Sequence, residues 1–437
     1  MRLAVIGTGH VGLVTCATFA AMGHEVIGVD SDDEKIRALR DVVVPFYEPG
    51  LQTLVREGVD AGLLSFTSDI GEAVSGAEVA FICVGTPPRA TGEASLLAVE
   101  RAAHEAASAA TGPLVIVEKS TVPAGTARRV RQTIHRARPD LKGQIGVASN
   151  PEFLREGSAI QDCLQPDRIL IGAEEERVFE VLRRLYEPLT SKGYPLIETS
   201  IQTAELAKHA SNAFLALKIS YANALARLCE KADADVSDVT KVMGLDPRIG
   251  PSFLQAGLGF GGFCFPKDLQ AFERLAASVG YEFPLLREVT RLNQEAADAV
   301  YQKVVDTMWN LEDKRIAVLG LAFKPNTDDT RFSPALGLAR RLLDAGANVV
   351  GYDPQAGANA KMEVPDLEIA IDAYEACAGA HCAVIATEWQ EIADLDLGRV
   401  AEAMVHPVIV DGRNVFDPTV MQEMGFTYCP VGRASIT

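Results

Sequence analysis

The chain has 437 residues, 48% of them hydrophobic, and a formal net charge of −18 at pH 7. That length and apolar content predict two or three globular domains, each with its own core. The acidic balance excludes general nucleic-acid binding and attraction to anionic membranes, and no apolar run is long enough to span a bilayer.

Eight cysteines, at 16, 83, 163, 229, 264, 377, 382 and 429, form neither a C-x-x-C pair nor a Cys/His cluster at metal spacing. A reduced, soluble, cytoplasmic protein without a bound metal is the expectation. The apolar run Leu3 to Ile6 breaks at Gly7 and is not read as a signal peptide.

Leu3 to Gly12 reads as a buried strand, a tight glycine turn and the start of a helix, and Glu25 to Asp30 reads as a second strand ending in a carboxylate. This is the dinucleotide fingerprint in its required context: Gly7 makes the turn, Gly9 admits the pyrophosphate, and Gly12 lets the helix pack on the sheet. The amides of Gly9, His10, Val11 and Gly12 open the helix and face the phosphates. Asp30 is placed to accept from the adenosine ribose 2′-OH and to repel a 2′-phosphate, which favours NAD over NADP; Lys35 is assigned to the same site.

Val79 to Val84 and Leu114 to Glu118 are further strands. They end in the loops Gly85-Thr86-Pro87-Pro88 and Lys119-Ser120-Thr121-Val122-Pro123. Thr86, Ser120 and Thr121 then stand at the sheet edge where ligands sit, either facing the nicotinamide or serving as turn hydroxyls. Ile145 to Ala148 is another strand, and after it Glu152 and Glu156 would share one face of a helix if one began there.

From Thr203 to about Lys231 the chain lacks Gly and Pro and carries apolar residues at helical spacing. Lys208 and Asn212 lie one turn apart on that helix, which also offers a surface for self-association. Gly259-Phe260-Gly261-Gly262-Phe263-Cys264-Phe265-Pro266-Lys267-Asp268 sets one cysteine in a glycine-rich loop beside a cation and a carboxylate. Lys267 would favour the thiolate, the form that attacks carbon; the alternative is a buried structural cysteine.

Arg315 to Lys324 echoes the first strand and turn, and Asn348 to Asp353 echoes Glu25 to Asp30. This second turn lacks the later glycines and inserts Lys324, Pro325 and Arg331, so it suits a different phosphate-bearing ligand from a dinucleotide. Strands at 381–387 and 408–410 follow, and Asp411-Gly412-Arg413-Asn414 puts Arg413 at the same edge.

Together these motifs resemble the UDP-glucose/GDP-mannose dehydrogenase family, in order and over nearly the whole chain. The resemblance implies an α/β protein with two Rossmann-like doubly wound domains joined by a long central helix and a helical dimerisation region. The expected boundaries are 1–198 for the NAD-binding domain, 199–300 for the central dimerisation and catalytic-loop domain, and 301–437 for the UDP-sugar-binding domain. It further implies a four-electron oxidation of a nucleotide sugar, preferably UDP-glucose, by two NAD+, in a homodimer or higher homo-oligomer.

Carried over residue by residue, the resemblance makes Cys264 the nucleophile of a thiohemiacetal and then a thioester. Lys208 and Asn212 act on the alcohol proton and oxyanion, Thr121 and Asp268 position water, and Glu152 is the base for hydrolysis, supported by Glu156. Glu152, Phe153, Leu154, Lys208, Asn212, Phe253, Gly261 and Phe323 line the sugar-nucleotide site, while Lys267 and Lys324 neutralise its phosphates. Arg413 reaches its polar groups, Arg248 comes from a neighbouring subunit, and Arg331 lies near the cofactor. Phe263, where relatives often have a small residue, and Phe253, where some have tyrosine, depart from the pattern. GDP-mannose or a UDP-N-acetylhexosamine is the alternative substrate; a two-electron hydroxyacid or alcohol dehydrogenase and a non-catalytic nucleotide-sugar sensor are the competing functions.

Overall fold

The computed structural model describes residues 1–87, 89 and 93–436; Pro88, at the end of the predicted Gly85–Pro88 loop, lies outside the described residues. The chain divides into two compact units, Met1–Ser211 with Gln270–Gly280, and Asn212–Leu269 with Tyr281–Thr437.

The first unit is built on strands β1 (Arg2–Ile6), β2 (Glu25–Val29), β3 (Leu64–Thr67), β4 (Val79–Ile82), β5 (Leu114–Glu118), β6 (Ile145–Ser149), β7 (Ile169–Ala173) and β8 (Leu196–Thr199). Their order is β3-β2-β1-β4-β5-β6-β7-β8. The first six run parallel in the doubly wound order, and the only antiparallel pair among the described strands is β6 with β7. Helices cover both faces: Leu3 and Val5 belong to one apolar cluster, Ala4 and Ile6 to another. Burial on both sides is why these strands read as continuous apolar runs rather than alternating ones. The strand order reverses at β1 and β4, so the loops that follow them diverge and leave a crevice at the carboxyl edge.

The second unit repeats this winding with β9 (Arg315–Leu319), β10 (Asn348–Tyr352), β11 (Glu368–Ile369), β12 (Cys382–Ile385), β13 (Val408–Asp411) and β14 (Thr427–Pro430). All pairs are parallel, in the order β11-β10-β9-β12-β13-β14. The long predicted helix is present as Ile201–Ala232, one continuous element that begins in the first unit and ends in the second.

The condition for Glu152 and Glu156 to share a helix face is not met. No helix carries Glu152 and Glu156; the segment after β6 is irregular until the Ala159–Leu164 helix. Pro151 supplies no amide donor, and Gly157 takes φ +81°, a left-handed turn that no helix contains.

Candidate functional site

The first turn of the first unit is shaped by its glycines. Gly7 has φ +97°, and a Cβ there would stand 2.7 Å from the Cys83 carbonyl oxygen; at Gly12 it would stand 1.8 Å from the Gly7 oxygen. Both glycines are therefore demanded by the turn itself. At Gly9 an added Cβ would meet nothing within 4 Å. The space beside Gly9 is a cradle, and the His10–Ala21 helix that opens on it has no side-chain cap and no acidic residue in its first turn. Unsatisfied amides facing open space fit a pyrophosphate.

Asp30 stands at the end of β2. Its Oδ2 accepts from the Thr8 amide at 3.0 Å, the Thr8 hydroxyl at 2.9 Å and Lys35 Nζ at 2.9 Å. Burial opposes its ionisation, but Lys35, Thr8 and the Asp32 amide outweigh that and hold the carboxyl below its usual range. The carboxylate is thus fixed in its charged form at the carboxyl edge of the sheet. Deeper along the same edge, Ser120 Oγ donates to the Val84 carbonyl at 2.8 Å and Thr86 Oγ1 to the Thr121 carbonyl at 3.0 Å. These hydroxyls stitch the β4 and β5 loops together, and Thr121 follows in a half-buried position.

In the same unit, Lys208 Nζ lies 2.9 Å from Glu152 Oε1, with both side chains almost fully buried. Glu152 Oε2 accepts from the Leu154 amide at 2.8 Å, which closes the loop around it. Lys208 also sits 5.4 Å from the Phe153 ring centroid, and Arg168 lies 3.8 Å over the same ring. Glu156 is half-buried in the irregular segment.

In the second unit, Cys264 is exposed and is the first residue of the Cys264–Ser278 helix. Asp268, one turn on and buried, accepts from Asn212 Nδ2 at 2.6 Å and pairs with Lys267 Nζ at 3.3 Å. Lys208 and Asn212, four residues apart on one helix, thus engage two different buried carboxylates.

The glycines before Cys264 are accounted for by protein packing. A Cβ on Gly261 would stand 2.4 Å from the Phe332 oxygen, and one on Gly262 2.7 Å from the Phe323 ring. Phe263 receives Lys267 at 5.5 Å and Arg331 at 4.7 Å from its ring centroid. Its bulk beside the thiol is an aromatic seat for two cations. Arg331 is held at the same time by Asp329, at 2.6 Å.

The second sheet's turn differs chemically from the first. Asp353, the counterpart of Asp30, accepts from the Leu321, Ala322, Gln355 and Ala356 amides and from Trp389 Nε1. The carboxylate is consumed inside the protein, so the turn lacks both the glycines and the acid of a dinucleotide site. Lys324 lies 5.6 Å over the Phe323 ring. Arg413 donates to the Ala386 oxygen at 2.8 Å and the Gly259 oxygen at 3.3 Å. Phe253, Asn326, Phe332 and Asn414 all hold positive φ. For bulky residues that is strain of the kind retained at ligand sites. Arg248 is the outlier: its side chain is 87% exposed and paired with Asp246 at 2.6 Å.

Sequence reasoning missed Glu48. Its side chain is fully buried, accepts from the Gly157 and Ala159 amides at 2.7 and 2.8 Å, and pairs with His10 Nε2 at 2.9 Å. It ties the first glycine turn, through His10, to the segment carrying Glu152. The Pro49-Gly50 pair directly after it marks a turn, but nothing local reveals an acid whose amide partners lie over a hundred positions on.

Models of three domains match this chain in order: the NAD binding domain at 1–190, the central domain at 202–295 and the UDP binding domain at 317–418, all of the UDP-glucose/GDP-mannose dehydrogenase family. The chain belongs to that family. The first unit accordingly contains the family's NAD-binding domain, and the open cradle at Gly9 fits that cofactor.

Relatives match end to end. A UDP-glucose 6-dehydrogenase of Rhizobium meliloti (strain 1021) is 45% identical over 99% of this chain and 100% of its own length. One of Bacillus subtilis (strain 168) is 42% identical over 100% of this chain and 94% of its own. Among solved structures, a UDP-glucose dehydrogenase from the hyperthermophilic archaeon Pyrobaculum islandicum superposes with a TM-score of 0.90 at 39% identity, covering 99% of this chain and 98% of the other. A UDP-D-ManNAc dehydrogenase from Pyrococcus horikoshii gives 0.85 at 28% identity, covering 99% of each chain. Among the described residues no group of His, Cys, Asp and Glu is arranged to hold a metal ion, and no helix is long and apolar enough to cross a membrane.

Proposed function

We propose that this family member oxidises the C6 alcohol of UDP-glucose to a carboxylate, giving UDP-glucuronate. The observation that carries it is Cys264: an exposed thiol on the first turn of a helix, one turn ahead of the buried Asn212–Asp268–Lys267 cluster. A two-electron alcohol oxidation has no use for a thiol, whereas a four-electron one is served by a group that holds the aldehyde and carries the acyl intermediate. The full-length likeness to UDP-glucose 6-dehydrogenases supports this sugar over GDP-mannose or a UDP-N-acetylhexosamine.

The Gly7–Gly12 turn, with Asp30 and Lys35 toward the ribose, would hold NAD+, which when bound would supply the hydride acceptor for each oxidation. Lys208 and Asn212 take up the charge that develops on the C6 oxygen as its proton leaves. Cys264 Sγ then bonds to the aldehyde carbon to form a thiohemiacetal, whose oxidation leaves a thioester on the enzyme. Helix amides and Lys267 stabilise negative charge at the sulfur. Thr121 and Asp268 order a water, Glu152 removes its proton with Glu156 in support, and hydrolysis breaks the C–S bond to release the carboxylate and restore the thiol.

Phe153, Leu154, Phe253, Gly261 and Phe323 shape the sugar-nucleotide site, with Lys267, Lys324 and Arg413 meeting its polar groups and Arg331 near the cofactor. The chain is read as three functional parts, 1–198, 199–300 and 301–437, in keeping with the three matched domain models. A dimer is supported by Phe214, Tyr221 and Leu228, which are exposed at heptad spacing along the Ile201–Ala232 helix, a stripe that a second copy would cover. Arg248, exposed, would then serve the partner's site. Eight scattered cysteines, with no C-x-x-C pair in the sequence, support the reducing cytoplasm as its compartment.

A panel of nucleotide sugars with NAD+ tests the substrate. UDP-glucose should give the highest kcat/KM; negligible turnover of it beside rapid turnover of GDP-mannose would overturn the reading.

A further inference from the structure

The segment 257–262 has no regular secondary structure, yet its backbone is held at nearly every step. The Gly257 amide donates to Asn223 Oδ1 at 2.8 Å, the Leu258 amide to the Gly412 oxygen at 3.0 Å, and the Gly262 amide to the Arg331 oxygen at 3.0 Å. One contact differs in kind. Asn293, midway along the Pro284–Met308 helix, accepts from the Phe260 amide at 2.7 Å and donates to the Phe260 carbonyl at 2.9 Å. A single side chain thus satisfies both backbone groups of one residue, as a neighbouring strand would.

Gly259 is matched to that clamp. It takes φ +97°, and a Cβ there would stand 2.6 Å from Asn293 Oδ1. Only an amide of this length makes both bonds: aspartate lacks the donor, and glutamine is one methylene longer. Asparagine is a mediocre helix former, so helix propensity does not explain its presence in this helix.

We propose that Asn293 is a positioning residue for Cys264. By fixing Phe260, four residues before the sulfur, it sets where the Cys264–Ser278 helix begins and so where the thiol meets the aldehyde carbon. The inference rests on Cys264 being the nucleophile. Displacement of a reacting group by about 1 Å costs on the order of 100-fold in rate, so the clamp should show in kcat more than in KM.

The test uses the full-length enzyme with NAD+ and UDP-glucose, comparing wild type, Asn293→Ala, Asn293→Asp and Cys264→Ala. For each, kcat, KM, the melting temperature and NADH formed per sugar consumed are measured, with a hydrazine reagent present to capture free aldehyde. Asn293→Ala should lose about 100-fold in kcat at unchanged KM for NAD+. Its NADH yield should fall below that of wild type, with the shortfall recovered as captured aldehyde, since a displaced thiol traps it poorly. Where Asn293→Ala does not fold, Asn293→Asp, which keeps the acceptor for Phe260 and loses the donor, carries the same comparison. Wild-type kcat and NADH yield in the folded Asn293 variant, beside an inactive Cys264→Ala, overturn the inference while leaving the function standing. An active Cys264→Ala overturns the function on which it rests.

Discussion

Lys208 and Glu152 form an ion pair of 2.9 Å in which both side chains are almost wholly removed from water. Burying two charges costs desolvation that their attraction barely offsets, so such a pair is weak support for stability, whereas stranding one partner is expensive. Lys208→Met should therefore destabilise the protein by about 3–5 kcal/mol in urea denaturation, and the double variant Lys208→Met/Glu152→Leu should recover most of that. Both should be nearly inactive, because the proposed oxyanion partner and hydrolytic base are the same two groups. A double variant as unstable as the single one would contradict a pairwise role.

The three glycines of the first turn should separate folding from cofactor binding. At Gly12 an added methyl collides with backbone at 1.8 Å, while at Gly9 it meets nothing within 4 Å. Gly12→Ala should lower the melting temperature and the yield of folded protein. Gly9→Ala should melt like wild type yet bind NAD+ much more weakly, as isothermal titration would show. Unimpaired NAD+ binding by Gly9→Ala would remove the pyrophosphate from the cradle.

On the proposed reading, Asp30 selects which dinucleotide is used. Its removal loses a hydrogen bond to a charged acceptor, worth about 1.5–3 kcal/mol, so Asp30→Ala should raise KM for NAD+ by roughly tenfold or more. It also releases Lys35, now 2.9 Å from Asp30, to meet a 2′-phosphate. Activity with NADP+ should rise relative to NAD+, and an unchanged ratio of the two kcat/KM values would argue against the assignment.

Much of this was legible because strand, turn and acid recur at fixed intervals. Gly7 to Gly12, Asp30 and the Ile201–Ala232 helix are local patterns, and local periodicity predicts local structure. What escaped was mostly short, exposed or distant, although β7, five buried residues, also went unread. β3 and β14 are four-residue strands, β11 is a pair of residues, and β8 is barely buried, so none carries a long apolar run. The segment after β6 was open to a helical reading because spacing alone does not reveal that Gly157 adopts a left-handed turn. Phe263 was a misfit in the sequence and gains a reason only when Lys267 and Arg331 are seen over its ring. Asp30 and Asp353 occupy equivalent positions, and only hydrogen bonding separates a carboxylate proposed to meet ribose from one spent on its own turn.

Glu205 links stability to pH. Its carboxylate caps the Thr126–Ala137 helix through the Gly125 and Ala127 amides, at 2.5 and 2.8 Å. Burial pushes its carboxyl up from 4.5 to about 7, against the pull of those amides and Arg128. The folded state then holds the proton more tightly than the unfolded state does. The resulting stabilisation is fully present below about pH 4.5, declines as pH rises, and is gone above about pH 7, an amplitude of about 3 kcal/mol. Glu205→Gln should flatten the melting temperature across that window. An unaltered slope would mean that other groups, such as the buried Glu118, whose carboxyl burial also raises, carry the dependence.

The most direct measurement of the central claim is NADH formed per mole of UDP-glucose consumed, in wild type and in Cys264→Ser. A thiol that holds the aldehyde and carries the acyl group predicts two NADH per sugar in wild type and almost no turnover in Cys264→Ser. One NADH per sugar, unaltered by Cys264→Ser, would make the protein a two-electron dehydrogenase and Cys264 a bystander.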